Sequence, residues 1–161
     1  MDLKNIKIEI VNVNENVEDI VKSGILLDDE ATCYHGFKSL FEIVWSIIST
    51  CIIYNVTLDN KQIGLILLSN YEEIDDELEI STCLKKEYRK LGIGSYLIRK
   101  VLEDCELNGV SKIHALVRCD NAASNRLFNS LNFIKYEDDV DDFVLNNKRV
   151  KQLHYVYDVK K

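Results

Sequence analysis

The fold of this chain is decided by a short basic stretch that reads Leu84-Lys85-Lys86-Glu87-Tyr88-Arg89-Lys90-Leu91-Gly92-Ile93-Gly94-Ser95. The residues before it, from about Glu77 to Leu84, predict a strand. After it, apolar residues recur at the spacing of one buried helical face, namely Ile93, Leu97, Val101 and Cys105. The stretch therefore contains a strand end, a basic loop and the start of a helix.

A helix start of this kind is suited to binding an anion. Its first-turn amides lack partners within the helix and lie at the positive end of the helix dipole. Gly92 and Gly94 remove the β-carbons that would block close approach. Each dipole effect is worth only about 0.3 to 2 kcal/mol, so several amides must act together with Lys86, Arg89 and Lys90. The sequence predicts a phosphate site here, without the dinucleotide or P-loop fingerprints.

Two motifs carry a resemblance to a known family. Arg89, Gly92 and Gly94 match the Gln/Arg-x-x-Gly-x-Gly/Ala signature of the GNAT family of N-acetyltransferases, in which this loop holds the pyrophosphate of acetyl-coenzyme A. Downstream, residues 121–133 resemble the family's Asn-x-x-Ala-x-x-Leu-Tyr-x-x-x-Gly-Phe motif. The resemblance covers nearly the whole chain, and it is strongest from about Glu77 to Phe133.

The second motif departs from the family pattern at three positions. Ser124 replaces a small alanine, and Asn132 replaces a glycine, which asparagine tolerates because it visits the left-handed region more readily than most residues. Phe128 replaces a tyrosine whose hydroxyl, in many members, is proposed to protonate the leaving thiolate. A phenyl ring cannot do this, so another donor, water, or a reduced activity is implied.

The resemblance implies a fold, a co-substrate and a set of residues that bind it. The expected fold is a mixed α/β (α+β) structure with a mostly antiparallel central sheet and helices on both faces. Amides near Cys83 and Leu84 are expected to stabilise the oxyanion, and Asn121 is expected to hold the pantetheine arm. The implied cofactor-binding residues are Cys83, Leu84, Arg89, Lys90, Leu91, Gly92, Ile93, Gly94, Ser95, Asn121, Ser124 and Phe128.

Acetyl transfer to an amine also needs a proton acceptor. An alkyl ammonium with a pKa of about 10.4 is only roughly one part in a thousand neutral at physiological pH, which costs about 4 to 5 kcal/mol. Glu79 is the candidate general base because many relatives have a carboxylate at this place on the strand. Tyr88 and Tyr136 are alternative proton carriers, and Glu79 is also consistent with an ordinary charged residue in an acidic strand start.

The length, charge and composition of the chain exclude several classes of protein. The chain has 161 residues, 47% hydrophobic and 29% charged, which predicts one domain, 1–161. Its formal charge of -7 has the wrong sign for binding nucleic-acid phosphates. No apolar run approaches the roughly 20 residues that span a bilayer, and Met1 begins no signal-peptide pattern. We therefore expect a soluble, cytoplasmic protein that binds neither nucleic acid nor membranes.

The cysteines and histidines show no motif of their own. The five cysteines form an odd set without a Cys-x-x-Cys pair, which predicts reduced thiols and no disulfide framework. The three histidines, His35, His114 and His154, have no recognisable ligand or dyad spacing, so each is expected to be structural or exposed to solvent. No metal site is expected.

The remaining pattern predicts the element order β-α-α-β-β-β-α-β-α-β-β. Alternation of apolar and polar residues from Ile6 to Val13 predicts a first strand. Two segments with apolar residues at helical spacing follow and predict helices, and Trp45 of the second is expected to lie in the core. A polar turn at 59–61 predicts an antiparallel hairpin between strands 51–58 and 62–68. The later elements are expected to be strand 113–117, helix 121–131 and strands 133–136 and 153–159.

Several functions remain open at this point. The first is N-acetylation of a primary amine on a small molecule or a protein. The alternatives are a non-catalytic acyl-coenzyme A sensor, which Phe128 would suit, and a transferase of a longer acyl group. Acidic segments at 28–30, 72–79 and 137–142 are either solvated turns or guides for a cationic amine. A homodimer is compatible with the sequence.

Overall fold

The computed structural model describes residues 3–11, 51–72, 74–136, 142–145 and 148–159. The chain divides into two compact units. The first unit comprises Met1–Ser69 and Ser81–Tyr96, and the second comprises Asn70–Ile80 and Leu97–Lys161. The predicted helices between the first two strands, with Trp45, lie outside the described residues.

The described elements alternate strands with two α-helices. The strands are β1 (Ile6–Val11), β2 (Cys51–Leu58), β3 (Lys61–Tyr71), β4 (Ile74–Leu84), β5 (Lys112–Arg118), β6 (Ile134–Tyr136), β7 (Asp142–Leu145) and β8 (Lys148–Asp158). The helices are α1 (Ile93–Leu107) and α2 (Ala122–Ser130). β3, β4 and β8 are longer than the sequence predicts, and β7 was not predicted, since it follows an acidic segment that resembles a solvated turn.

The first unit contains an antiparallel meander. β1 pairs with β2, and β2 pairs with β3, both antiparallel. The turn between β2 and β3 has positive φ at Asp59 (50°) and Asn60 (61°), the conformation that tight hairpins require. Its core is aliphatic and includes Ile53, Val56 and Ile63, each fully buried. The predicted hairpin is confirmed.

The second unit contains both kinds of strand pairing. Glu77–Glu79 of β4 run parallel to Lys112–His114 of β5. β5 pairs antiparallel with β8 over its whole length, and β6 and β7 also run antiparallel to β8. Because one of these pairings is parallel and the others are antiparallel, the expectation of a mixed, mostly antiparallel sheet is confirmed.

The two helices begin and end where local sequence signals place them. Leu97, Ile98, Val101, Leu102 and Cys105 form the buried stripe of α1. The chain leaves α1 through Gly109, whose φ of 78° is accessible to glycine. Neither helix in the described part of the chain is long and apolar enough to cross a membrane.

Candidate active site

The basic loop of the first unit leaves the sheet directly after β4. The amide of Lys85 still donates to the carbonyl of Ile63 (2.9 Å), and a short 3-10 turn follows at Lys86–Tyr88. The side chain of Arg89 turns back, and its Nε donates to the carbonyl oxygen of Leu84 (2.8 Å). The signature arginine therefore clamps the end of β4 to the loop.

The loop delivers the chain into α1 through left-handed backbone. Lys90 has φ 61° and Gly92 has φ 80°, so the turn depends on glycine at the second position. The first helical hydrogen bond runs from the amide of Tyr96 to the carbonyl of Gly92 (3.2 Å). The amides of Ile93, Gly94 and Ser95 precede that bond, and these are the groups that an anion at a helix start would contact.

A glycine that sequence analysis did not single out fixes the end of β4. A β-carbon on Gly64 would lie 2.6 Å from Cδ2 of Leu84 and 2.7 Å from the carbonyl oxygen of Cys83. β3 and the end of β4 thus approach each other more closely than any side chain on Gly64 would allow. The available signal was a glycine inside the apolar run 63–68, because glycine within a strand often marks a close backbone approach.

The second predicted motif forms the start of α2 in the second unit. Asn121 is the N-cap residue, and its Oδ1 accepts a hydrogen bond from the amide of Ser124 (3.2 Å). Asn125 closes the turn before the helix, since its Nδ2 donates to the carbonyls of Arg118 (3.1 Å) and Asn121 (2.9 Å). Because Oδ1 of Asn121 caps the helix, a bond from this side chain to a ligand would come from Nδ2.

Asn125 is held in turn by a tyrosine of β8. The hydroxyl of Tyr155 donates to Oδ1 of Asn125 (3.0 Å), and Tyr155 is 1% exposed. Burial raises the pKa of this phenol, so it remains a hydrogen-bond donor. No short sequence pattern indicates this contact, because the two residues are 30 positions apart.

The departures from the family motif are accommodated in different ways. Asn132 adopts φ 64°, which confirms that asparagine takes over the left-handed position. Phe128 is 4% exposed, and its ring lies edge-on to Phe133 at 5.0 Å and roughly parallel to Tyr155 at 6.0 Å. The ring thus packs in the core of the second unit, and its expected position beside a bound thioester remains a prediction.

The candidate base lies beside a polar cluster in the second unit. Glu79 of β4 is partly exposed and pairs in register with His114 of β5. His114 is 4% exposed, and its Nε2 lies 2.7 Å from Oε2 of Glu77. The other carboxylate oxygen of Glu77 accepts from Nζ of Lys112 (2.5 Å).

The cluster continues from His114 to a second histidine. Nδ1 of His114 lies 2.8 Å from Nε2 of His154 on β8. Tyr71 stacks on His114 with ring centroids 3.6 Å apart, and Tyr136 of β6 stacks on His154 at 5.5 Å. His114 and His154 are therefore buried residues with polar partners, and β5 and β8 place their two rings side by side.

The charges of the cluster follow from these contacts. The Lys112 ammonium holds the pKa of Glu77 below its usual value, and His114 adds to that effect. The same bond raises the pKa of Lys112. Burial lowers the pKa of His114 despite the neighbouring carboxylate. Glu77 is thus ionised and His114 neutral at physiological pH, and Glu77 is a buried partner rather than one of the solvated acids of segment 72–79.

The predicted site residues divide between the two units. Cys83, Leu84 and residues 89–95 belong to the first unit, and the structure brings them together as one strand end, loop and helix start. Glu79, Asn121, Ser124 and Phe128 belong to the second unit. Within the described ranges, no three His, Cys, Asp or Glu side chains are grouped in a way that could hold a metal ion.

Comparison with solved structures supports the fold. Several solved structures share the fold at low sequence identity. A spermidine N-acetyltransferase from Vibrio cholerae, in complex with CoA and spermine, superimposes with a TM-score of 0.78 at 16% identity and covers 98% of each chain. The ribosomal-protein-S18-alanine N-acetyltransferase from Escherichia coli gives a TM-score of 0.75 at 16% identity, over 97% of this chain and 95% of that one.

Sequence comparison gives the family. No curated protein matches the chain significantly. Residues 26–133, about two thirds of the chain, match the Acetyltransferase (GNAT) family. This match covers both the basic loop with the helix start of α1 and the capped start of α2. The chain belongs to the GNAT family of acetyltransferases.

Proposed function

We propose that this protein transfers the acetyl group of acetyl-coenzyme A to a primary amine of a small molecule or a protein. The observation that carries the proposal is the start of α1. There, Gly92 in a left-handed conformation, the amides of 93–95 and the bond from Arg89 to Leu84 lie in one turn after the end of β4. This arrangement fits a pyrophosphate, because amides, dipole and basic side chains all favour negative charge.

Each part of the site has a separate task in this proposal. The amides of 93–95 and the cations Lys86 and Lys90 hold the pyrophosphate. The amides near Cys83 and Leu84, at the strand end that Gly64 and Arg89 fix, stabilise the oxyanion that develops on the thioester carbonyl. Asn121 binds the pantetheine arm through its side-chain amide.

The acceptor must lose a proton before it can attack. Glu79 is the proposed base, directly or through a water molecule, and it lies on the same strand as Cys83 and Leu84. The carbon–nitrogen bond forms as the carbon–sulfur bond breaks, and the thiolate leaves. A thiol with a pKa near the reference value of about 8.5 can leave as thiolate or be protonated by water, so Phe128 does not prevent the reaction.

The acceptor is proposed to be cationic. Glu72, Asp75 and Asp76 are exposed near the start of β4, and their charges would attract a protonated amine to the protein. The similar structures include a spermidine N-acetyltransferase and a ribosomal-protein-S18-alanine N-acetyltransferase. An acceptor panel should therefore contain polyamines, single primary amines and a peptide that begins with alanine.

The test is thiol release from acetyl-coenzyme A over this panel, with acetylated product identified by mass spectrometry. We expect turnover with at least one cationic amine and a lower kcat/KM for it at higher salt, because screening shortens to about 10 Å at 0.1 M ionic strength. A salt-independent kcat/KM would contradict the steering role of the acidic residues. Tight cofactor binding without turnover on any amine would instead support the sensor.

A further inference from the structure

The cluster of the second unit is an unbroken chain of hydrogen bonds. It runs from Lys112 to Glu77 (2.5 Å), from Glu77 to His114 (2.7 Å) and from His114 to His154 (2.8 Å). For this chain to form, the ring protons must have a defined order. A carboxylate only accepts, so His114 donates from Nε2 to Glu77, and its neutral ring then accepts at Nδ1 from Nε2–H of His154.

The chain also has a direction. Its Lys112 end is open to water, with the Lys112 side chain 40% exposed and that of Glu77 12% exposed. Its His154 end is 5% exposed. Lys112 is the first residue of β5, whereas His154 pairs with Leu116, four residues further along the strand. The hydrogen-bond chain therefore leads from the surface toward the end of β5 that is followed by Asn121. Asn121 is the residue proposed to bind pantetheine.

The proposed reaction supplies a proton that must leave. When a protonated amine is acetylated and the thiolate takes up one proton, one further proton is released per turnover. We propose that His154, His114 and Glu77 form a proton relay that conducts this proton from the acceptor side of the second unit to solvent at Lys112. This inference rests on the proposed function.

Each transfer in the relay is balanced. A proton that reaches His154 makes it an imidazolium, which passes its Nε2 proton to Nδ1 of His114. His114 then passes its own Nε2 proton to Oε2 of Glu77, and Glu77 releases it to water beside the exposed Lys112. Both rings return to neutrality with the proton on Nδ1, so each ring must regain its Nε2-protonated form before the next turnover. No oxidant, reductant or further reactant is needed.

The groups around the relay both favour and oppose a positive charge on His114. His114 faces Glu77 and Glu79 of β4, Lys112 of its own strand, His154 of β8, and the ring of Tyr71. The carboxylate of Glu77 stabilises a charged His114, while the burial that lowers the pKa of His114 ensures that the charge does not persist. Tyr136 covers His154, and Asp158 interacts with Lys112 at the exposed end.

The kinetic test compares the pH dependence of kcat for the wild type and His154→Gln. Glutamine keeps a hydrogen-bonding amide but cannot relay a proton. We expect kcat of the variant to fall about tenfold or more near pH 7, and the deficit to shrink as pH approaches the amine pKa of about 10.4, where free amine no longer needs the relay. The Kd for acetyl-coenzyme A should not change.

The controls separate a relay from a structural role. Glu77→Gln, which is isosteric, should reproduce the pH-dependent deficit, and Lys100→Gln, which removes an exposed ion pair with Glu103 on α1, should retain the wild-type profile. A deficit that stays constant at every pH, or no deficit in folded variants, would overturn the relay. A wild type that acetylates no amine would overturn the proposed function itself.

A second measurement tests the relay without requiring enzymatic turnover. Nitrogen-15 NMR of the histidine rings in the wild-type protein reports which nitrogen carries the proton. We expect neutral His114 and neutral His154 to be protonated on Nε2 at pH 7.5, as the order of donors requires. A proton on Nδ1 of neutral His114 would break the bond to Glu77 and overturn the relay.

Discussion

The hydroxyl of Tyr155 ties β8 to the turn before α2. It donates to Asn125, which itself holds the carbonyls of Arg118 and Asn121. We expect Tyr155→Phe to lower the free energy of unfolding by about 1 kcal/mol, the usual net value of one hydrogen bond. Because the turn carries Asn121, the Kd for acetyl-coenzyme A should rise as well. Denaturant unfolding and calorimetry measure the two effects.

The matched control is Tyr157→Phe, on the same strand two residues further along. It removes a hydroxyl from a partly exposed ring that packs on Phe133. Equal effects of the two substitutions on cofactor affinity would show that the bond to Asn125 does not hold the turn.

Replacing Phe128 with tyrosine would restore the hydroxyl group that the family motif has at this position. We expect Phe128→Tyr to raise the turnover number, by at most the roughly 10²- to 10⁴-fold typical of general acid catalysis, with little change in cofactor affinity. The ring is 4% exposed, so the new hydroxyl needs a polar partner, and a buried hydroxyl without one costs about 1 to 3 kcal/mol.

Turnover and thermal unfolding must therefore be measured together. An unchanged turnover number in a stable variant would show that thiolate departure is not limiting. A fall in both would mean that packing against Phe133 and Tyr155 is what the phenylalanine supplies.

Gly64 is the position where β3 comes close to the end of β4. We expect Gly64→Ala to weaken acetyl-coenzyme A binding and lower the melting temperature, because a β-carbon 2.7 Å from the carbonyl oxygen of Cys83 forces the backbone apart. Ser69→Ala, at the far end of β3, is the control. If Gly64→Ala binds the cofactor as well as this control does, the close approach of the strands does not position the end of β4.

Elements with local signals could be predicted from the sequence. The starts of α1 and α2 were predictable because a glycine pair and a capping asparagine act within a few residues. The hairpin of β2 and β3 was predictable for the same reason. The Glu77–His114–His154 contacts were not, since they join residues 37 and 40 positions apart on three strands, and register at that distance is not encoded in any short pattern.

The stability of the whole protein should decrease in acid in two stages. Burial lowers the pKa of His114 in the fold, so below its usual 6.5 the unfolded chain binds a proton that the folded chain does not, and stability falls. The pKa of Glu77 is also lowered, so its contribution is present above 4.5 and is lost as pH falls through the folded value.

Melting temperatures between pH 8 and pH 4 test this linkage. The wild type should lose stability from about pH 6.5 downward, and His114→Gln should lack this first stage because it removes the buried titrating group. A wild type that gains stability between pH 7 and pH 5.5 relative to the variant would contradict the lowered pKa of His114.

The central claim is that the start of α1 binds the pyrophosphate of acetyl-coenzyme A, and calorimetric titration of Gly94→Val tests it most directly. Gly94 is the second residue of α1, and a branched side chain there would enter the space of the phosphate. The Lys100→Gln variant, on the same helix, serves as the folded control. We expect Gly94→Val to lose measurable cofactor binding, whereas Lys100→Gln should bind as the wild type does. Unchanged affinity in a folded Gly94→Val variant would contradict the claim.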